Sequence, residues 1–115
     1  MVEYHYSDET SLDSTFSALA DPTRRAIMTA LSNGERSVGE LAEPFDMSLN
    51  AVSKHIKKLE AAGLVRRHRV GREHFLSVAP HSLESAALWL ERRRRFWNKK
   101  LDKLEAVLRE ETRDD

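Results

Sequence analysis

The sequence predicts a mainly α-helical fold with one small β-hairpin. Three observations predict it: capping residues and Gly or Pro divide residues 12–62 into four short amphipathic segments, two β-prone runs flank a Gly71-Arg72 pair, and residues 82–110 contain neither Gly nor Pro. The 115 residues suit one domain, and 40% hydrophobic with 33% charged residues is the composition of a folded chain.

The composition excludes several kinds of site. The chain has no cysteine, which rules out disulfides, thiolate metal ligands and cysteine nucleophiles. No apolar run reaches membrane-spanning length, and the first ten residues are acidic and polar, unlike a signal peptide. We therefore expect a cytoplasmic protein without a membrane partner.

The first two helices are predicted from apolar spacing and a cap. An i, i+4, i+7 stripe predicts a short first helix and consists of Leu12, Phe16 and Leu19. Residues 1–11 are expected to form a flexible acidic segment ahead of it. Asp21-Pro22 is typical of an N-cap followed by proline at the first helical position, and Asn33-Gly34 predicts where the second helix stops.

Signals for the next two helices follow at once. Ser37 and Glu40 have the spacing of a capping box and predict a third helix, which Pro44 should keep short. Ser48 is a suitable cap for a fourth helix, and Gly63 is a suitable stop. A short helix, a tight turn and a second helix form the outline of a helix-turn-helix.

The fourth helix, over residues 48–62, has two chemically different faces. One side of a 3.6-residue wheel is apolar and consists of Val52, Ile56 and Leu59. Ser53 and His55 lie on the flanks. The opposite side is polar and basic, and consists of Asn50, Ala51, Lys54, Lys57 and Lys58. This arrangement predicts one face in the core and one face free for a partner.

The pattern changes after Gly63 to LVRRHRV-GR-EHFLSV, two β-prone runs around two turn residues. Glycine at the first central position suits a type II′ hairpin. Four arginines and two histidines lie on or beside the hairpin. It is either a soluble excursion or, following a basic-faced helix, a wing that contacts a phosphate backbone.

The C-terminal third is strongly helical and carries an apolar seam. Positions alternating by four and three read Leu83, Ala87, Leu90, Arg94, Trp97, Leu101, Leu104 and Leu108. A helix of this length spans roughly 40 Å at 1.5 Å per residue, more than one small domain can cover. We expect part of the seam to bury against another chain, with intrachain packing as the alternative. The arginines at 92–95 are interpreted as a solvated face.

Charge is unevenly distributed although 19 basic and 19 acidic residues cancel. Residues 1–21 hold five acids and no Lys or Arg, whereas residues 47–78 hold seven bases against two acids. Because salt screens charges over about 8 Å, a neutral chain with one basic third can bind a polyanion. A solvated basic surface remains the alternative.

These segments together resemble the ArsR/SmtB group of bacterial winged helix-turn-helix transcription regulators. The resemblance covers about residues 12–108, and the stretches that carry it are ALADPTRRAIMTAL (18–31), SVGELAEPFDMSLNAVSKHIKKLEAAGLV (37–65), VGREHFLSV (70–78) and FWNKKLDKLEAVL (96–108). It implies a winged helix-turn-helix domain over 12–80, a dimerisation helix over 81–110 and a polar tail at 111–115. It also implies a homodimer built from the first and last helices.

The resemblance, together with the helical wheel, nominates site residues. Contacts with double-stranded DNA are expected from Ser48, Asn50, Ala51, Ser53, Lys54, His55, Lys58, Arg67, Arg69 and Arg72. The dimer interface is expected to include Phe16, Leu19, Leu90, Trp97, Leu101, Leu104 and Leu108. Asn50 stands where many relatives carry proline, and it adds a donor and acceptor suited to adenine or to a phosphate.

Metal sensing is well known in this group, but its usual ligands are missing. The stretch ELAEPFD lacks the cysteine pair of one sensor type, and residues 82–115 lack the histidines of another. DNA contact explains His55, His68 and His74 better than zinc, while His5 and His81 are isolated. We expect no metal and no cofactor.

The predicted function is therefore a sequence-specific DNA-binding regulator, a repressor that binds an inverted-repeat operator as a homodimer. An enzyme is not expected, because the chain has no Gly-rich phosphate loop, no G-x-S-x-G elbow and no paired His-Glu metal motif. A protein-protein module that had lost DNA binding would need an acidic or apolar recognition face, whereas the outer face of the fourth helix is basic. A regulator of the same fold that responds to a metal or small molecule remains the alternative, although no residues nominate the effector site.

Overall fold

The chain alternates helices with a small sheet. The structure, a computed structural model, describes the backbone of residues 2–114 and the side chains of residues 11–112, and over this part it contains five α-helices and three β-strands. In chain order they are α1 (Val2–Leu19), α2 (Pro22–Leu31), β1 (Arg36–Ser37), α3 (Val38–Ala42), α4 (Leu49–Ala61), β2 (Val65–Val70), β3 (Glu73–Val78) and α5 (Pro80–Asp114). The predicted mainly helical fold with a hairpin is confirmed.

The caps of α2 and α3 are those that the sequence predicts. The Asp21 carboxylate accepts the backbone N–H of Arg24 at 3.0 Å, and proline follows at the first helical position. In α3 the Ser37 hydroxyl accepts the N–H of Glu40, and the Glu40 carboxylate accepts the N–H of Ser37, both at 3.1 Å. These reciprocal bonds satisfy backbone donors that the first turn leaves free.

Helix α4 is closed at both ends by local interactions. The Ser48 hydroxyl accepts the N–H of Ala51 at 3.1 Å. At the other end Gly63 has φ +75°, and the N–H of Leu64 donates to the carbonyl of Leu59 at 3.0 Å. Together with the Gly63 N–H to Glu60 carbonyl bond of 2.9 Å, this is a Schellman motif, which confirms the predicted stop.

Strands β2 and β3 form the predicted hairpin, in a register running from Val65↔Val78 to Val70↔Glu73. Gly71, the first turn residue, has φ +63°. Arg72, the second, does not have a positive φ, since no residue other than glycine has one in the described part of the chain. This combination is the type II′ pattern. Strand β1 was not predicted, since two residues are too few to show an alternation. It pairs with β3 and gives the sheet order β1-β3-β2.

The core of the first unit, which runs to Ser85, lies between these elements. The three residues predicted on the inner face of α4 are fully buried, at 0% exposure. Its buried apolar members are Ala18, Ile27, Leu31, Leu41, Val52, Ile56, Leu59, Ala62, Leu64, Val65 and Leu76. Burial of this face fixes which side of α4 remains outside.

The two terminal helices are longer than the apolar stripes predict. Helix α1 begins at Val2, because no Gly or Pro interrupts the residues ahead of the stripe. Helix α5 has 35 residues, about 52 Å, and from Ala86 onward it forms a unit by itself. Most side chains of segments 1–11 and 111–115 lie outside the described residues, so their flexible and tail-like character stays a prediction. Across the described residues, no helix combines the length and the apolar content that crossing a membrane requires.

Candidate nucleic-acid interface

The outer face of α4 is cationic and open to solvent. Asn50, Lys54, Lys57 and Lys58 are exposed, while Ala51 and Ser53 are half-buried. Lys54 lies opposite the buried stripe, as the helical wheel predicts. Glu60, the acidic residue of this helix, lies on another side and forms a salt bridge with Arg67 of the β2–β3 hairpin, which we call the wing. The face therefore presents positive charge to a partner.

The N-terminus of α4 adds backbone donors to this face. Ser48 and Asn50 are both exposed there, next to the first turn. Because the first N–H groups of a helix have no intrahelical acceptor, and the helix dipole is positive at this end, the turn favours an anion. The lysines and the helix start therefore attract the same kind of ligand.

The tip of the wing carries two exposed cations. Arg69 and Arg72 are both exposed, and the Nε of Arg69 donates to the carbonyl of Gly71 at 2.7 Å, which holds its side chain over the turn. Nearer the base of the wing, His68 contacts a ring of the neighbouring strand and a carboxylate outside the hairpin. His68 stacks on Phe75 with ring centroids 5.6 Å apart, and its Nε2 lies 2.7 Å from Glu35.

Arg67, predicted to contact DNA, is placed at the junction between the wing and α4. Its Nη2 and Nε donate to the two carboxylate oxygens of Glu60 at 2.7 and 3.2 Å. This pair raises the pKa of Arg67, because the hydrogen bonds to Glu60 stabilise the charged guanidinium. Much of the Arg67 charge is thus compensated inside the protein.

His55, also predicted to contact DNA, interacts with other side chains of the protein. Its Nδ1 lies 3.2 Å from Nη1 of Arg24 and 3.7 Å from Oδ2 of Asp21. The side chain retains 24% exposure, on the flank of α4. The structure thus brings His55 against the start of α2 rather than onto the open basic face.

Arg24 is a residue that the sequence did not single out. Its side chain donates to the carbonyls of Ala18 and Ser17 at the end of α1, at 2.5 and 3.2 Å, in addition to its contact with His55. The DPTRR motif contains a signal, a basic residue three positions after a helix cap. Its partners, however, are known only from the fold.

Five of the residues predicted for a dimer interface form an open apolar surface on α5. They are each 52–59% exposed and are Leu90, Trp97, Leu101, Leu104 and Leu108. Arg94, which interrupts this series, donates to both carboxylate oxygens of Glu91 at 2.6 and 2.9 Å. Those bonds lower the pKa of Glu91 to about 2.

The two candidates from the first helix differ from each other. Phe16 is 36% exposed, whereas Leu19 is half-buried and packs against the core described above.

Residues with metal-binding side chains are dispersed: within the described part of the chain, no three His, Asp or Glu side chains form a group able to hold a metal ion.

Comparisons with known proteins place this geometry in a family. A family described as a helix-turn-helix domain matches residues 19–68. The transcriptional repressor SdpR of Bacillus subtilis is 32% identical over 79 residues, which are 69% of this chain and 88% of SdpR. The regulator Rv2034 of Mycobacterium tuberculosis is 40% identical over 91 residues, 79% of this chain and 82% of Rv2034.

Solved structures agree. An ArsR-like transcriptional regulator from Rhodococcus sp. RHA1 superposes with a TM-score of 0.69 at 34% identity, covering 86% of this chain and 93% of that one. The homodimeric winged helix-turn-helix domain Mb0332 of Mycobacterium bovis shares the fold, with a TM-score of 0.59 at 23% identity over 82% of this chain and 86% of that one. SdpR, Rv2034 and the Rhodococcus protein are transcription regulators rather than enzymes. The chain belongs to the ArsR/SmtB family of winged helix-turn-helix DNA-binding regulators.

Proposed function

We propose that this protein binds an inverted-repeat operator as a homodimer and represses transcription there. The observation that carries the proposal is the exposed basic face of α4, which lies opposite a fully buried apolar stripe. A helix of this kind fits the major groove of DNA, and the wing supplies cations beside it. The family supports DNA binding, while the operator, the dimer and repression are our inference.

Phosphate contacts come from the open cations and the start of α4. Lys54, Lys58, Arg69 and Arg72 have no carboxylate within salt-bridge distance among the described side chains, so their charge is available to a polyanion. Such contacts give affinity and register but little sequence information. Arg67 contributes mainly by holding the wing against α4 through Glu60.

Base contacts come from the first turns of α4, which lie deepest in the groove in proteins of this geometry. Asn50 is exposed there and suits a bidentate bond with adenine, while Ala51 and Ser53 offer a methyl group and a hydroxyl. Lys54 follows one turn later and also reaches guanine acceptors. Sequence preference is therefore concentrated between residues 50 and 54.

The dimer is supported by the apolar surface of α5. Leucine and tryptophan side chains that are more than half exposed along one helix are unfavourable in water, and a second copy that buries them gains the hydrophobic free energy. The homodimeric relative Mb0332 uses the same fold. Two-fold symmetry then places two recognition helices on half-sites about one helical turn apart.

Repression is the simplest regulatory outcome of this arrangement. A dimer bound across a promoter excludes RNA polymerase by occupying the same DNA. SdpR, with which the chain shares 32% identity, is a transcriptional repressor. DNA fragments captured by the purified protein should, on sequencing, share an inverted repeat, and an enriched motif without two-fold symmetry would contradict the dimeric mode.

The recognition helix is tested by Lys54→Ala. Without the Lys54 ammonium group at a phosphate, binding to the captured operator should weaken about tenfold, and the slope of log affinity against log salt should fall by about one for each Lys54 in the complex. Gel shifts at several salt concentrations measure both quantities. Lys103→Ala, which removes the same charge from an exposed position on α5, is the control and should bind normally. Unchanged affinity of a dimeric Lys54→Ala protein would show that α4 does not face the DNA.

A further inference from the structure

Arg24 lies where α1, α2 and α4 meet. From the first turn of α2, its guanidinium donates to two carbonyls at the end of α1, those of Ala18 and Ser17. The same guanidinium reaches Nδ1 of His55 on α4 at 3.2 Å. Because the C-terminal carbonyls of a helix carry partial negative charge, they hold the cation in place. One side chain therefore connects the recognition helix to the end of α1.

This contact determines the tautomer of His55. A guanidinium is always protonated and has only donors, so Nδ1 of His55 must accept. Oδ2 of Asp21 lies 3.7 Å from Nδ1, too far for a hydrogen bond, and already accepts the backbone N–H of Arg24 at 3.0 Å. The proton of the neutral ring is therefore on Nε2.

The bond also bears on the orientation of α4. The core fixes the depth of the helix through Val52 and Ile56, but apolar contacts are not directional. A hydrogen bond to a ring on the flank of the helix is directional. It resists rotation of α4 about its own axis, and that rotation decides where the exposed lysines point.

We infer that Arg24 is a positioning residue for DNA recognition, which holds His55 with its proton on Nε2 and thereby orients the basic face of α4. The inference rests on the proposed DNA-binding function. It predicts that Arg24 affects discrimination between DNA sequences more than the affinity for DNA in general. Base contacts depend on the angle of the helix, whereas phosphate contacts by long lysines tolerate a rotation.

The chain offers a matched control in the next residue. Arg25 also donates to a carbonyl at the end of α1, that of Leu19, at 2.9 Å. No hydrogen bond or ion pair joins it to α4 within the described residues. Arg24→Met removes two bonds to the end of α1 and Arg25→Met removes one, with the same loss of charge, and the bond to α4 through His55 is lost in Arg24→Met alone.

Binding should separate the two variants. Each is titrated against the operator duplex recovered by capture and against a scrambled duplex of equal length and composition. Arg24→Met should lose about tenfold in affinity for the operator and little for the scrambled duplex, since the charged hydrogen bond that orients α4 through His55 is removed. Arg25→Met should keep the operator preference, and Arg24→Lys should recover part of it. Equal loss of preference in both methionine variants would overturn the inference.

A second measurement needs neither a variant nor DNA. In the ¹⁵N-imidazole spectrum of the wild-type protein above the titration range of histidine, His55 should have an unprotonated Nδ1 and a protonated Nε2. A proton on Nδ1 would overturn the inference whether or not Arg24→Met folds. Failure of the wild-type protein to prefer the operator would refute the proposed function instead, and the ring signals would still report the Arg24 contact.

Discussion

Individual charged residues of this protein have uses that their positions in the sequence do not reveal. Arg67 and Arg69 are two residues apart in β2, yet Arg67 is bonded to Glu60, whereas Arg69 is exposed over the turn. On α5, Arg94 is similarly bonded to Glu91. A count of basic residues therefore overestimates the charge available to DNA, and the partners of each cation decide its contribution.

A pH prediction belongs to the cap of α2. The hydrogen bond from the backbone N–H of Arg24 lowers the pKa of Asp21 below its usual value of 3.8. A lowered carboxyl pKa means that the cap stabilises the fold fully above about pH 3.8 and loses this effect as the pH falls through the lower folded value. Asn also caps helices but does not titrate, so Asp21→Asn should retain more of its neutral-pH stability in acid than the wild type does.

Urea unfolding followed by circular dichroism between pH 2 and 7 measures this difference. Asp13→Asn on α1 serves as the control, since the Asp13 side chain is exposed and caps no helix. Parallel stability curves for the wild type and Asp21→Asn would contradict the role assigned to the carboxylate.

At the scale of elements, the helix-turn-helix is delimited by short-range chemistry. Gly63 ends α4 in a left-handed conformation, and a Cβ built on it would lie 2.8 Å from Oγ of Ser82. Gly39, inside α3, has an ordinary helical backbone, and a Cβ there would meet its nearest neighbour at 3.9 Å. The same substitution should thus have opposite consequences at the two glycines.

Gly63→Ala should lower the free energy of unfolding by about 1–3 kcal/mol, because the strained backbone and the Ser82 contact both oppose a methyl group. Gly39→Ala should be neutral or stabilising, since alanine is a better helix former than glycine. Thermal unfolding compares them. Equal melting temperatures for the two variants would show that the φ of Gly63 is not a constraint.

Features that depend on residues close together in the sequence could be predicted, whereas features that join distant segments could not. The caps at Asp21, Ser37 and Ser48 involve partners three residues away, so they were predicted correctly. Strand β1 and the Glu60–Arg67 pair join distant segments, and no periodicity reveals them. The exposed face of α4 was predicted because its opposite side is strictly apolar. The contacts of Arg24 were not, since a basic residue beside the Asp21 cap does not indicate which carbonyls and which ring its side chain reaches.

For the whole molecule, the decisive feature is the open apolar surface of α5. Trp97 and Leu101 are 59% and 58% exposed, in the part of the chain beyond Ala86 that forms a unit by itself. A second copy is the partner that the proposed operator symmetry requires. Dimerisation and DNA affinity should therefore be lost together, since two linked half-sites bind far more tightly than one.

Leu101→Glu tests this coupling by placing a charge in the proposed interface, where desolvation makes it costly. The variant should sediment as a monomer and bind the operator at least about tenfold more weakly. Ala106→Glu adds the same charge about 140° around the helix, on an exposed position outside the surface, and should remain a dimer. A fully dimeric Leu101→Glu protein would refute the interface.

The wing has three paired strands near its base and two at its tip, which bears on how it would fit DNA in the proposed complex. Near its base three strands pair side by side, since Ser37 and Arg36 lie opposite Phe75 and Leu76. Beyond them only the ribbon from Arg69 to His74 continues, and two-stranded ribbons twist more readily than wider sheets. In the proposed complex, the two-stranded end of the wing therefore follows a curved or narrowed duplex while the three-stranded base stays in place. Substitutions at this end should retune the fit to DNA curvature at little expense to folding.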